Sequence, residues 1–217
     1  MEKLSLKYIV RKPKEQTKNT SLLILLHGYG SNEEDLYSFA SELPSDLIIV
    51  SARALQDLGF GSYAWYTIHF NNTQKKFSDI LEAIKARDVI YKFIKEVQEK
   101  YTISPEKTFL LGFSQGTILG MATALNHPTK IKNIIGLSGY VNHDILPDNL
   151  EILDYSNLSF YCSHGTVDQV IPIDWARQTP VFLKSLNIEH TYSEFPIGHG
   201  VAPKNFYELR NWISTKI

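Results

Sequence analysis

The sequence predicts an α/β fold: a mostly parallel central sheet with helices on both faces and no large cap domain. Three observations carry that reading. Short apolar runs of strand length recur at residues 22–26, 47–50, 109–111, 134–137 and 158–162. Stretches of helical periodicity separate most of them, the alternation that builds a parallel sheet covered on both sides. Only the first segment, residues 4–10, alternates apolar with polar residues, as a half-exposed edge strand does.

Taken in order, residues 22–26 (Leu-Leu-Ile-Leu-Leu) form the most hydrophobic strand and run into the loop His27-Gly28-Tyr29-Gly30. Residues 47–50 give the next strand. Residues 54–77 then resist assignment: Gly59, Gly61, Asn71-Asn72 and the aromatics Phe60, Tyr63, Trp65, Tyr66, Phe70 and Phe77 follow no helical spacing. Long segments of this kind in compact domains tend to be functional, so the expectation is a binding loop over the site, the alternative being a short hairpin packed on the core. Residues 79–101 are the clearest helix, with Ala83, Ala86, Ile90, Phe93, Val97 and Tyr101 on one face. Helices at 115–126, 174–186 and 203–214, the middle one with Asp174 as its N-cap, and a last strand at 191–195 complete the set.

Bulk properties narrow the function. The 217 residues suit one domain, 1–217, and 43% apolar content supplies a large core. With 22 basic against 23 acidic residues and no basic stripe, nucleic acid and anionic membrane are poor partners. The one cysteine, Cys162, excludes an internal disulfide and a cysteine-based zinc cage, and its apolar setting reads as a buried small hydrophobe. The charged start Met1-Glu2-Lys3 lacks the apolar stretch of a secretory signal, and no run approaches the ~20 residues that span a bilayer. A cytoplasmic enzyme is the expectation.

Gly112-Phe113-Ser114-Gln115-Gly116 joins a buried strand to a helix and so matches a nucleophile elbow. A strand reversing sharply into a helix strains its apex residue, and glycines two positions either side remove colliding side chains. Such a pattern arises by chance in roughly one of twenty sequences of this composition, so its flanks matter. The near-miss Gly136-Leu137-Ser138-Gly139 lacks the second spacing glycine and reads as a strand end.

A serine hydroxyl is a weak nucleophile, and its chemistry demands a histidine to take the proton and a carboxylate to hold the imidazole. The order Ser, acid, His selects residues downstream of Ser114. His199, in Gly198-His199-Gly200, follows the last strand, and its glycines are expected to let the backbone bend and keep side chains off the ring. Asp168 follows the strand ending at Cys162, where sites in open parallel sheets gather. Of the other histidines, His127 sits at a helix end, His69, His143 and His190 lie in polar contexts, and His27 and His164 read as loop-ordering residues. Asp144, Asp148 and Asp154 fall in a polar excursion. The oxyanion donors expected are the backbone N–H groups of Gln115 and Tyr29.

With these residues in place the chain resembles the phospholipase/carboxylesterase group of α/β-hydrolases, which includes the acyl-protein thioesterases. The resemblance lies in LHGYGSNEEDL (26–36), LGFSQG (111–116), HGTVDQVIP (164–172) and GHGVAP (198–203), which span most of the chain. It implies the α/β-hydrolase fold, no metal or other cofactor, a small-molecule ester or thioester substrate of modest acyl length, and the triad Ser114, Asp168, His199 with Tyr29 and Gln115 at the oxyanion. Ala64-Trp65-Tyr66 matches the family's aromatic segment, which makes Trp65 a substrate-contact candidate; an aromatic surface there leaves a pocket wall and a homodimer contact both open. Tyr29 and Ser31 stand where the thioesterase branch often carries HGLGD, so a carboxylesterase is the first reading and an acyl-protein thioesterase or lysophospholipase the alternative. A ligand-binding protein on the same fold predicts a broken triad, which this sequence does not carry.

Overall fold

The computed structural model describes residues 4–70 and 76–217, so Met1, Glu2 and Lys3 and the Asn71-Asn72 pair lie outside the described residues, as do the side chains of Phe70 and Phe77. The chain enters through β1 (Tyr8–Arg11), half-buried along its length, and passes to β2 (Leu22–Leu26) and β3 (Ile48–Ala52), both fully buried. A 3-10 helix, Leu36–Ser41, crosses between the last two. The expected 54–77 loop is organised as two small hairpins, β4 (Gln56–Gly59) with β5 (Ser62–Ala64) and β6 (Ile68–Phe70) with β7 (Lys76–Ser78). At the first apex Gly59, Phe60 and Gly61 all have positive φ, a turn that two glycines make accessible.

The long helix α1 (Ile80–Tyr101) starts at Asp79, whose carboxylate accepts the Glu82 N–H at 3.0 Å, and stops at Thr102 in the left-handed region. Its predicted apolar face is buried throughout. Next come β8 (Thr108–Phe113), α2 (Gln115–Asn126), β9 (Asn133–Leu137) and β10 (Ser159–Gly165). The helix expected over 174–186 is divided into α3 (Ile173–Ala176) and α4 (Gln178–Ser185), and its N-cap is Pro172, which places Asp174 in the first turn instead. Pro180 has no N–H to return to Ala176, which weakens a continuous helix at that junction. The chain ends with β11 (Glu189–Phe195) and α5 (Pro203–Lys216).

Seven strands form the main sheet in the order β1-β3-β2-β8-β9-β10-β11. Only β1 pairs antiparallel, at the edge; the remaining pairings are parallel. Alternate residues of β2 serve opposite cores: Leu22, Ile24 and Leu26 pack with α1 and α2, while Leu23 and Leu25 pack with Leu36, Phe206, Leu209 and Ile213. Burial of these five side chains favours folding by on the order of 10 kcal/mol before entropy is counted. Parallel pairing brings the carboxyl ends of β2, β8, β9, β10 and β11 to one edge. Among the described residues no helix is long and apolar enough to cross a membrane.

Candidate active site

Ser114 lies between β8 and α2 with φ 52° and ψ −115°, a backbone conformation that a non-glycine residue adopts only under constraint. The constraint is visible on both sides. A Cβ on Gly112 would lie 2.4 Å from the backbone of Gly116 and Thr117, and one on Gly116 would lie 2.1 Å from the Leu26 carbonyl oxygen. The Ser114 N–H donates to the Leu137 carbonyl at 2.9 Å. The Thr117 hydroxyl stands 2.7 Å from the carbonyls of Gly112 and Leu137 and accepts the Leu137 N–H. The strand end 136–139 therefore braces the elbow, and Ser138 reaches from it to the Gly200 carbonyl at 3.3 Å. The Ser114 side chain makes no cap bond, and its hydroxyl borders a cavity.

The predicted acid and base meet. His199 Nδ1 and Asp168 Oδ2 are 2.7 Å apart, while Asp168 Oδ1 accepts the N–H groups of Val170 and Ile171 at 2.8 and 3.0 Å. Burial alone would raise the Asp168 carboxyl; the His199 hydrogen bond and the two amides outweigh it and hold the group below its ordinary range. An ionised carboxylate facing Nδ1 requires the proton there and leaves Nε2 as the free basic nitrogen. The acid and base loops are stitched together: Thr166 N–H donates to Phe195 O at 2.7 Å and Val167 N–H to Ile197 O at 3.2 Å. Gly165 permits this approach, since a Cβ on it would lie 2.3 Å from the carbonyls of Ile197 and Gly198. Gly198 and Gly200 have no positive φ, and a Cβ on either would meet nothing beyond its chain neighbours, so the close approach between the two loops rests on Gly165. The Phe113 ring packs 4.9 Å from the His199 ring. Ser114 and His199 share the cavity wall, although no hydrogen bond joins them among the described residues; such contacts commonly tighten only when substrate binds.

The Tyr29 and Gln115 N–H groups, the predicted oxyanion donors, are not taken by protein carbonyls among the described residues. His27 orders the loop as the sequence suggested. Its Nδ1–H donates to Gly28 O at 2.8 Å, its Nε2 accepts the Ala54 N–H at 3.1 Å, and burial lowers its basicity. Gly30 N–H donates to Tyr63 O, and Tyr63 N–H to Ser31 O, which tie the loop to β5. Trp65 is 1% exposed and lies behind the cavity, with its indole N–H on His27 O at 2.9 Å. It thus supports the His27–Gly30 loop and is neither a cavity wall nor an exposed surface; the next residue, Tyr66, lines the cavity.

The cavity has a volume of about 440 Å³, within the range of small-molecule sites. Tyr66, Ile68, Ile80, Ile118, Tyr140 and Trp175 give it an apolar lining, and burial pushes the Tyr66 phenol upward. Sequence reasoning missed Tyr140 and Asp144, which follow β9 and border the cavity. The parallel topology held the clue, because every loop leaving that sheet edge faces the site. It also missed the Gln115 side chain, which holds residues 65 and 66 against the elbow. Burial raises the Cys162 thiol to about 12, which makes it an inert core residue. Among the described residues no group of three or more His, Cys, Asp or Glu could hold a metal ion.

A family model described as phospholipase/carboxylesterase matches residues 8–217. The chain is 29% identical to a protein named acyl-protein thioesterase 1 from Candida albicans over 213 residues, 89% of each chain. Among solved structures, esterase PE8 superposes with a TM-score of 0.86 at 24% identity, covering 98% of this chain and 99% of its own. A carboxylesterase from Bacillus cereus follows with a TM-score of 0.82 at 20% identity, covering 98% and 95%.

Proposed function

This chain belongs to the phospholipase/carboxylesterase family of α/β-hydrolases and is a serine hydrolase; on that premise we propose that it cleaves carboxylic esters of modest acyl length through an acyl-enzyme on Ser114. His199 Nε2 removes the hydroxyl proton as Ser114 Oγ attacks the carbonyl carbon. Asp168 holds the imidazole through Nδ1–H and favours the imidazolium that forms. The Tyr29 and Gln115 N–H groups receive the negative charge that develops on the carbonyl oxygen. Collapse breaks the bond to the alcohol, which leaves with the proton from His199. Water then repeats the sequence in reverse, with His199 as base, and releases the carboxylic acid and free Ser114.

The observation that supports this most is the 2.7 Å His199–Asp168 pair set beside a cavity that Ser114 also lines. The apolar lining favours an acyl chain as the buried half of the substrate. Thioesters are the second reading, favoured by the similarity to a protein named acyl-protein thioesterase. The test is a panel of p-nitrophenyl esters from two to twelve carbons and matched thioesters, with wild type and Ser114→Ala. Turnover peaking at short to medium chains and absent in the variant is expected. A rate rising steadily to twelve carbons, or unchanged by Ser114→Ala, contradicts it.

A further inference from the structure

The cavity beside Ser114 has two unlike walls. Tyr66, Ile68 and Ile80 line one, on the side where the Trp65 indole bonds the loop after β2. Tyr140, Asn142 and Asp144, which follow β9, and Val170 and Trp175, which follow β10, line the other. The strand order sets this division, because β2 and β9 flank β8 from opposite sides and Ser114 ends β8. His199 leaves β11, beyond β10, and so enters from the second side.

The second wall carries charge. Asp144 is exposed in a 3-10 turn, His143–Ile145, capped by the Asn142 side chain, which accepts the Asp144 N–H at 3.1 Å. Among the described residues it is the one carboxylate lining the cavity, and no lysine or arginine joins it there. Arg87, which reaches the same turn, is taken up by the Ile145 carbonyl at 2.7 Å and by Asp88 at 2.9 Å. The His143 ring packs edge-on against Phe182 at 4.7 Å. Tyr140 and Trp175 meet edge to face with ring centroids 5.2 Å apart, and Trp175 is half exposed. Burial first and the Asp144 charge second push the Tyr140 phenol upward, so the carboxylate acts on the ring beside it. A carboxylate next to electron-rich rings attracts an organic cation and repels an anion.

The alcohol half of an ester takes its proton from His199 and so faces the β9–β10 wall, while the acyl chain faces the apolar one. We propose, building on ester cleavage at Ser114, that Asp144 forms with Tyr140 and Trp175 a subsite for the alcohol half, which selects esters whose alcohol bears an ammonium group over neutral and anionic ones. Because Asp144 is open to solvent, the preference is modest and falls with added salt.

The test pairs butyrylcholine with its neutral carbon isostere, 3,3-dimethylbutyl butyrate, which share an acyl chain and a shape and differ in charge. Acid release in a pH-stat at low ionic strength gives kcat/KM for each. Their ratio is divided by the ratio of the two hydroxide-catalysed rates, since the ammonium also makes choline the better leaving group. This corrected ratio cancels any general change in activity. Wild type is expected to favour the cationic ester about three- to tenfold. Asp144→Asn should remove most of that preference and Asp144→Lys should invert it, with circular dichroism to establish folding. A wild-type ratio near one overturns the proposal, as does a ratio that either substitution leaves unchanged. Ser114→Ala in parallel separates the two claims. If neither ester is cleaved, or cleavage persists without Ser114, the ester reading falls and the subsite with it; if both are cleaved through Ser114 at a corrected ratio near one, only the subsite falls.

Discussion

The Gln115 carboxamide accepts the Trp65 backbone N–H at 2.9 Å, and its own amide donates to the neighbouring Tyr66 carbonyl at 2.8 Å. One side chain at the first position of α2 thereby satisfies two buried main-chain groups some fifty residues away. The residue whose backbone is proposed to bind the oxyanion also fixes the segment that walls the cavity.

Gln115→Ala leaves both groups unpaired while keeping the backbone N–H. The expected cost is about 2–4 kcal/mol of stability, read by urea unfolding, together with a lower kcat/KM from a loosened Tyr66 wall. An unchanged unfolding midpoint would show that the bridge is dispensable.

The glycines at the site are expected to differ sharply. Gly116→Ala must push a Cβ into the Leu26 carbonyl, a rigid backbone atom, and should cost about 3 kcal/mol or more with loss of soluble protein. Gly198→Ala meets open space and should stay within about 0.5 kcal/mol of wild type. Thermal unfolding of the pair checks the contrast, and equal effects contradict it.

Asp168→Asn places an amide opposite His199 Nδ1, which disturbs the tautomer the base needs, and should lower kcat by about three to four orders of magnitude. The same variant reports on acid stability. Because the folded carboxyl is held below its ordinary value, the unfolded chain binds that proton first. The stabilisation is complete above about pH 4 and is lost as pH falls through the lowered folded value. Between pH 6 and 3, wild type should therefore lose more melting temperature than Asp168→Asn; parallel curves would contradict the assignment.

How much of this was legible in the sequence follows from the range of the interactions involved. The strand β2, helix α1 and the elbow are local: apolar runs, 3.6-residue spacing and glycines at fixed offsets state them directly. Asp168 and His199 could be selected because chain order and the sheet edge restrict the choice. Segment 54–77 could not be assigned, because its first hairpin depends on pairing with the loop after β2, as in the Gly30–Tyr63 contact, and short strands with such partners lack a periodic signature. Trp65 was misplaced by one position for a similar reason. Trp65 and Tyr66 lie in a bend just past β5, so which of them meets the cavity is set by their hydrogen bonds to Gln115, a contact some fifty residues away in sequence. Asp174 gave a plausible cap by type, but the helix begins beside Pro172, whose fixed φ suits the start.

The most direct test of a Ser114 acyl-enzyme is intact-mass and peptide mapping of the protein after a fluorophosphonate probe, run beside ester hydrolysis. A single adduct on the peptide containing Ser114 is expected, with loss of hydrolysis in step with labelling and no adduct in a folded Ser114→Ala protein. Hydrolysis that persists in the fully labelled protein, or an adduct that remains when Ser114 is replaced, would contradict it.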